Sequence, residues 1–228
     1  MRSSPPRNLG GLAGLATAHS LLSDAFADLN ARPDSLREAT TALEIRRGLH
    51  ADPAGRIDAD NTRNLSLSLT KTAAALMNEG DYPVAEKLAG EAVALARELA
   101  GQSGALPDHR ALLAGALETC GETLVGQERQ SDGVRLYIEA RGLRLVLVNE
   151  LPGDPESRFD LAKCRVQLGG LYQDGTHVQP AAPDIFAERA EYSAALELLQ
   201  KLTQDFPQNA RYNEVLAKAK AALTEIGP

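Results

Sequence analysis

Apolar residues recur along the chain at intervals of three and four, and clusters of Pro, Gly and Asp interrupt them. Over residues 8–30 the apolar positions are Leu12, Leu15, Leu22, Phe26 and Leu29, with His19 in the gap. That spacing is one stripe of a helix. Ala31-Arg32-Pro33-Asp34 breaks it, and a second helix is predicted from about Asp34 to His50, with Leu36, Ala39, Leu43 and Leu49 inward. Asp52-Pro53-Ala54-Gly55 closes this first pair. A second pair is predicted from about Asn61 to Ala100. Leu65, Leu69, Ala73 and Leu76 line its first helix. Gly80-Asp81-Tyr82-Pro83 makes its turn, and Val84, Leu88, Val93, Leu95 and Leu99 line its second helix.

A third pair follows from about Pro107 to Glu150. Leu112, Leu113, Leu117, Cys120 and Leu124 face inward from its first helix; Val134, Leu136, Ile138, Leu143 and Leu147 do so from its second. Leu145-Val146-Leu147-Val148 has the composition of a strand, but it continues a helical pattern through Ile138 and Leu151 and is read as helix. Leu151-Pro152-Gly153-Asp154-Pro155 stops it. The fourth pair starts near Glu156, with Leu161, Leu168 and Tyr172 on its first helix and Tyr192, Ala195, Leu196, Leu199 and Leu202 on its second. Asn209 caps a last helix to about Ile226, with Tyr212, Leu216 and Leu223 on its apolar side. Residues 1–9 read as a disordered leader.

Superposing the pairs brings small residues into register. Ser23, Ala73, Gly121 and Gly169 sit mid-way along the four first helices, in steps of 50, 48 and 48. Phe26, Leu76, Leu124 and Tyr172 follow three places later. Ser35, Ala85 and Gly133 stand twelve places after the first small residue, with Ala195 in the fourth pair after an insertion. Ala42, Ala92, Ala140 and Leu202 come seven further on. Closely packed helices need small side chains where they cross, and added bulk costs about 1–3 kcal/mol there.

Leu168-Gly169-Gly170-Leu171-Tyr172, then Ala195, then Pro207 twelve residues after it, give L-G-x-x-Y, A-x3-L and a terminal Pro. This resembles the tetratricopeptide (TPR) signature, a helix–turn–helix repeat. The resemblance covers about residues 10–207; it is strongest in the fourth repeat and weakest in the first. The Trp of the repeat pattern is replaced by His19, Leu69, Leu117 and Arg165. The period of about 48–50 is similar to that of long-period TPR arrays in large bacterial signalling proteins. The resemblance implies an all-α, right-handed superhelical array: four TPR-like helix pairs over about 10–55, 56–104, 105–155 and 156–207, with a capping helix at 209–226. These are read as one solenoid domain over 10–228. The fourth pair carries a surplus of about fourteen residues, roughly 173–186, read as a surface loop or as an arm over the binding face.

Composition narrows the function. The 228 residues are 43% hydrophobic and only 4% aromatic, with no Trp, which suits helices packed through Ala and Leu. A net charge of −7 argues against nucleic acid as the partner. No apolar run approaches the roughly 20 residues that span a bilayer, so no membrane insertion is expected. Two distant cysteines and a short, Gly-rich apolar stretch after the basic N-terminus fit a cytoplasmic protein without a secretory signal.

No catalytic or cofactor constellation emerges. Gly121 to Gly126 has P-loop spacing, but Gln127-Glu128 stands where Lys-Ser/Thr belongs. Asp58-Ala59-Asp60-Asn61 begins like a calcium loop and then lacks the third ligand and the turn Gly. His19, His50, His109 and His177 share no ligand spacing with one another or with a cysteine. The expectation is therefore a non-enzymatic protein with no cofactor and no metal.

In TPR arrays the first helices of the pairs line a concave groove. Carried over, the groove would present Thr17, Ser20, Asp24 and Asp28; then Thr70, Lys71, Ala74, Met77 and Asn78; then Glu118, Thr119, Glu122 and Val125; then Lys163, Val166, Gln167, Gln173 and Asp174. The family's clamp for a C-terminal carboxylate would need Lys and Asn at Ser20 and Asp24, Asn at Lys71, and Lys and Arg at Gly115 and Thr119; none matches. Asp24, Asp28, Glu118 and Glu122 suggest a ligand with basic side chains. The function implied is a protein–protein interaction scaffold that grips a peptide or helix of another protein. The alternative is self-assembly as a homodimer through the uncapped first-helix stripe of Leu15, Leu22 and Phe26.

Overall fold

The computed structural model describes residues 9–52, 59–173 and 184–227. Among them are nine helices and no strand: α1 (Leu9–Asp28), α2 (Arg32–Ala51), α3 (Ala59–Asn78), α4 (Tyr82–Ala100), α5 (Pro107–Val125), α6 (Gln130–Glu150), α7 (Pro155–Gln173), α8 (Ile185–Asp205) and α9 (Ala210–Ile226). The expected leader and most of the fourth-pair insertion, Asp174 included, lie outside the described residues. The chain divides into two compact units, one up to Ala105 and one from Leu106. In the first, α1 packs on α2, α2 on α3 and α3 on α4; in the second, α5 packs on α6, α6 on α7, α7 on α8 and α8 on α9.

Helix starts follow local chemistry. Pro stands in the first turn of α2, α4 and α5, where its missing N–H costs nothing. Asp81 accepts from the Val84 N–H, Asp184 from Ala187, and Asn209 from Arg211 and Tyr212, each meeting N–H groups that a helix start leaves open. The 145–148 segment is helical, inside α6.

The register of small residues is the packing register. Ser23, Ala73, Gly121 and Gly169 are all buried, as are Ser35, Ala85, Gly133 and Ala195 opposite them. At the α1–α2 crossing the Ser35 hydroxyl donates to the Ser23 carbonyl at 3.0 Å. At the α5–α6 crossing a Cβ on Gly133 would lie 2.6 Å from Val125 Cγ2 and 2.8 Å from the Gly121 carbonyl oxygen. A Cβ on Gly169 would lie 2.9 Å from the Tyr192 ring.

Three expectations about inward faces are corrected. Leu12, Leu15 and Leu22 of α1 and Leu29 just after it are exposed, because the face of α1 that meets α2 carries Ala16 and Ser23 instead. Val84 and Ile138 are also exposed. In α6 the buried positions next to Ile138 and Leu143 are Tyr137 and Arg144.

Candidate functional site

In the second unit α5, α6 and α7 enclose a cleft of about 340 Å3, lined by Glu122, Val125, Tyr137, Gln167, Gly170, Leu171 and Gln173. Gly121 and Gly133 bring α5 and α6 into close contact at its edge, and Glu122 of α5 and Gln167 and Gln173 of α7 line it. Leu171 and Tyr137 are buried and supply an apolar floor. Among the described residues no ion pair holds Glu122. Glu122 is exposed at the rim of the cleft, yet the protein packed around it and the nearby Glu118 carboxylate raise its carboxyl above the ordinary range, with Lys163 pulling the other way. An unneutralised carboxylate in this setting favours an approaching cation or strong hydrogen-bond donor.

Beneath the cleft, Arg144 of α6 is buried between carboxylates of α5 and α7. Its Nε and Nη2 donate to Glu118 at 3.1 Å each, and its Nη1 donates to Asp160 at 2.7 Å. Burial lowers the guanidinium's proton affinity, but Glu118 and Asp160 outweigh it and hold the charge firmly in place. Glu191, also buried, receives Arg141 and Arg165, the latter at 2.7 Å. These pairs tie α5 to α6, α6 to α7, and α6 and α7 to α8.

In the first unit a pocket of about 220 Å3 lies between α1, α2 and α3, lined by Thr17, Ser20, Leu21, Arg46, Asn64, Leu67, Ser68 and Lys71. Lys71 donates to Asp24 at 2.6 Å. Arg46 is buried and donates from Nη2 to Thr17 Oγ1 at 2.8 Å. A second depression at the α1–α2 turn includes Asn78, whose carbonyl accepts from Arg32 at 3.2 Å.

The sequence-named site residues other than Asp174 all stand on described helices. Glu122, Gln167 and Gln173 come together in one cleft. Asp24 and Lys71 come together as an ion pair and so neutralise each other. Asp28 is exposed on α1, and Lys163 is exposed with its ammonium 5.8 Å from the Phe159 ring centroid. Asp174 lies outside the described residues. Glu118 is a structural partner of Arg144, so the expected acidic face loses both Glu118 and Asp24 as open charges, for the same reason: a cation on the neighbouring helix reaches each. Sequence reasoning missed Arg46, Arg144 and Tyr137. Their signal was register, since Arg46 and Arg144 both stand eleven places after the small crossing residue of the second helix, Ser35 and Gly133.

Burial pushes the Cys164 thiol far up, away from the reactive thiolate. No group of three His, Cys, Asp or Glu side chains is placed to hold a metal ion among the described residues, and no described helix is long and apolar enough to cross a membrane.

No family model matches the chain, and no curated protein matches it. Solved structures do. The chain is similar to BtubC (BKLC) from P. vanneervenii, at 22% identity over 86% of this chain and 66% of that one, with a TM-score of 0.59; it thus spans about two thirds of that protein's length. It is similar to the yeast histone chaperone Hif1, described as a scaffold protein recruiting protein complexes to core histones, at 11% identity over 95% and 96% of the two chains, with a TM-score of 0.58. A Podosopora anserina putative kinesin light chain with nearly identical TPR-like repeats aligns at 13% identity over 95% and 98%, with a TM-score of 0.49.

Proposed function

From a chain with the all-α fold of TPR-like helix-pair arrays, we propose a non-catalytic protein-interaction scaffold that grips a peptide or helix of another protein on its first-helix faces. The observation that carries this reading is the α5–α6–α7 cleft, with two Gln amides and one unneutralised carboxylate around an apolar floor. Such a mixture suits a peptide: amides meet its backbone, the floor takes an apolar side chain, and Glu122 takes a basic one. Hif1, which shares this fold, is described as a scaffold protein. Two buried cysteines, neither in a disulfide, fit a reducing compartment, and we read the protein as cytoplasmic.

The test is affinity selection of a random peptide library on the full chain, followed by titration of the recovered peptides. Peptides with a basic residue should be enriched, and Glu122→Lys should weaken them by about tenfold or more while circular dichroism and the melting temperature stay close to wild type. Glu118→Lys is unsuitable for this purpose, because it sets a second cation beside buried Arg144. Affinity indifferent to Glu122→Lys removes the cleft from the account.

A second reading, self-association as a homodimer, is favoured by the exposed Leu12, Leu15, Leu21 and Leu22 of α1 and Leu29 just after it. Light scattering should then show a dimer that Leu15→Glu with Leu22→Glu dissociates; a dimer that survives both substitutions places its interface elsewhere.

A further inference from the structure

The two units bury an arginine at the same register position and treat it differently. Arg144, eleven residues after Gly133, is 7% exposed and is neutralised by Glu118 and Asp160. Arg46, eleven residues after Ser35, is equally buried at 7%. Glu118 stands three places before Gly121; the same place before Ser23 is Ser20. Asp160 stands nine places before Gly169; the same place before Ala73 is Asn64. Both carboxylates are therefore replaced by neutral groups, yet the guanidinium remains. Among the described residues its hydrogen-bond partner is Thr17 Oγ1, and no carboxylate pairs with it. Burial alone shifts it, downward, with no acidic neighbour acting in the other direction.

The missing volume is open. Ser20 carries a hydroxyl where Glu118 carries a CH2–carboxylate, and the resulting pocket of about 220 Å3 is lined by Thr17, Ser20, Arg46, Asn64, Ser68 and Lys71. Thr17, Ser20, Asn64 and Ser68 offer neutral hydrogen-bonding groups. Lys71 is already matched by Asp24, so the uncompensated charge in the pocket is one guanidinium. Arginine stays charged at neutral pH, and a buried, unpaired cation is costly until an anion reaches it.

We propose that the α1–α2–α3 pocket binds an acidic side chain, an Asp or Glu of a partner peptide, whose carboxylate takes on Arg46 the place that Glu118 takes on Arg144. A single uncompensated cation matches a monoanion better than a phosphate dianion, and the fold's own solution at the equivalent crossing is a carboxylate. Ser20 and Lys71 stand at two positions of the family's clamp for a chain-terminal carboxylate, but the residues that clamp needs are absent here, and the cation of this pocket is Arg46 on α2. Only the source of the carboxylate rests on the scaffold reading; the site itself can be tested without a partner.

The experiment follows the Arg46 Nε–H resonance of the full chain by NMR during titration with acetyl-glutamate amide. A saturable shift in the millimolar range is expected, with binding of acetyl-glutamine amide weaker by about tenfold or more. Inorganic phosphate and acetylglycine, the latter standing for a chain terminus, should also bind more weakly. Ser20→Glu should raise the melting temperature by supplying the missing carboxylate and should abolish probe binding. Arg46→Met should abolish it as well; if that variant fails to fold, Ser20→Glu alone decides. No saturable shift, tighter binding of phosphate or acetylglycine, or Ser20→Glu that binds the probe normally or melts lower would overturn the proposal. Selected peptides that depend on Glu122 while acetyl-glutamate amide does not bind would overturn it and leave the α5–α6–α7 cleft standing.

Discussion

A glycine's worth in this chain depends on what its Cβ would meet. On α6, Gly133 is pressed against Val125 and the Gly121 carbonyl, whereas Gly142 has nothing within 4 Å. Gly133→Ala must displace backbone and is expected to cost about 1–3 kcal/mol. Gly142→Ala only removes unfolded-state freedom and is expected to gain about 0.5–1 kcal/mol. Urea unfolding of both variants should therefore show opposite signs from one substitution on one helix; equal signs would contradict the crossing described here. Glu122 gives a second residue-scale prediction. Its carboxyl is raised in the folded state, so the charged form opposes folding above that raised value and the penalty fades as pH falls toward the ordinary 4.5. Glu122→Gln should raise the melting temperature at neutral pH, and the gain should vanish near pH 4. A gain independent of pH would mean that charge is not its cause.

At the scale of helices, the sequence made the pairs readable and left their polar ties hidden. Leu65, Leu69, Leu112, Leu117, Leu168 and Leu199 are buried as the helical period requires, and the helix ends fall close to the Pro, Gly and Asp clusters. The period fails on α1. There the leucines mark a face that α2 does not cover, because close packing at the Ser23–Ser35 crossing selects small residues over large ones. It fails again at Arg144, since an arginine becomes a core residue only when carboxylates arrive from two other helices, and one chain's periodicity carries no record of that. The candidate site was readable to the same extent: Glu122, Gln167 and Gln173 converge, while Glu118 and Asp24 are taken up by neighbouring cations. The tie itself is testable. Arg144→Met leaves Glu118 and Asp160 facing each other across a buried gap and should destabilise the chain by about 3 kcal/mol; a loss under about 1 kcal/mol would show that α5, α6 and α7 do not depend on it.

Across the whole molecule, the fold is shared with structures of only 11–22% identity. Within this chain the alternation of helix and turn and the small residues at crossings carry the fold, so it could be read from pattern while the ligand could not. The two units differ at equivalent places. The first has Ser20 and Asn64 near Arg46 where the second has carboxylates on Arg144, and the second has a cleft lined by Glu122. The most direct test of the scaffold account is amide hydrogen exchange of the full chain with and without a peptide selected from the random library. The account predicts slowed exchange on α5 around Glu122 and on α7 from Gln167 to Gln173, independent of protein concentration. Protection that instead falls along α1 from Leu12 to Leu29, and grows with protein concentration, would contradict it and make the chain a self-assembling one.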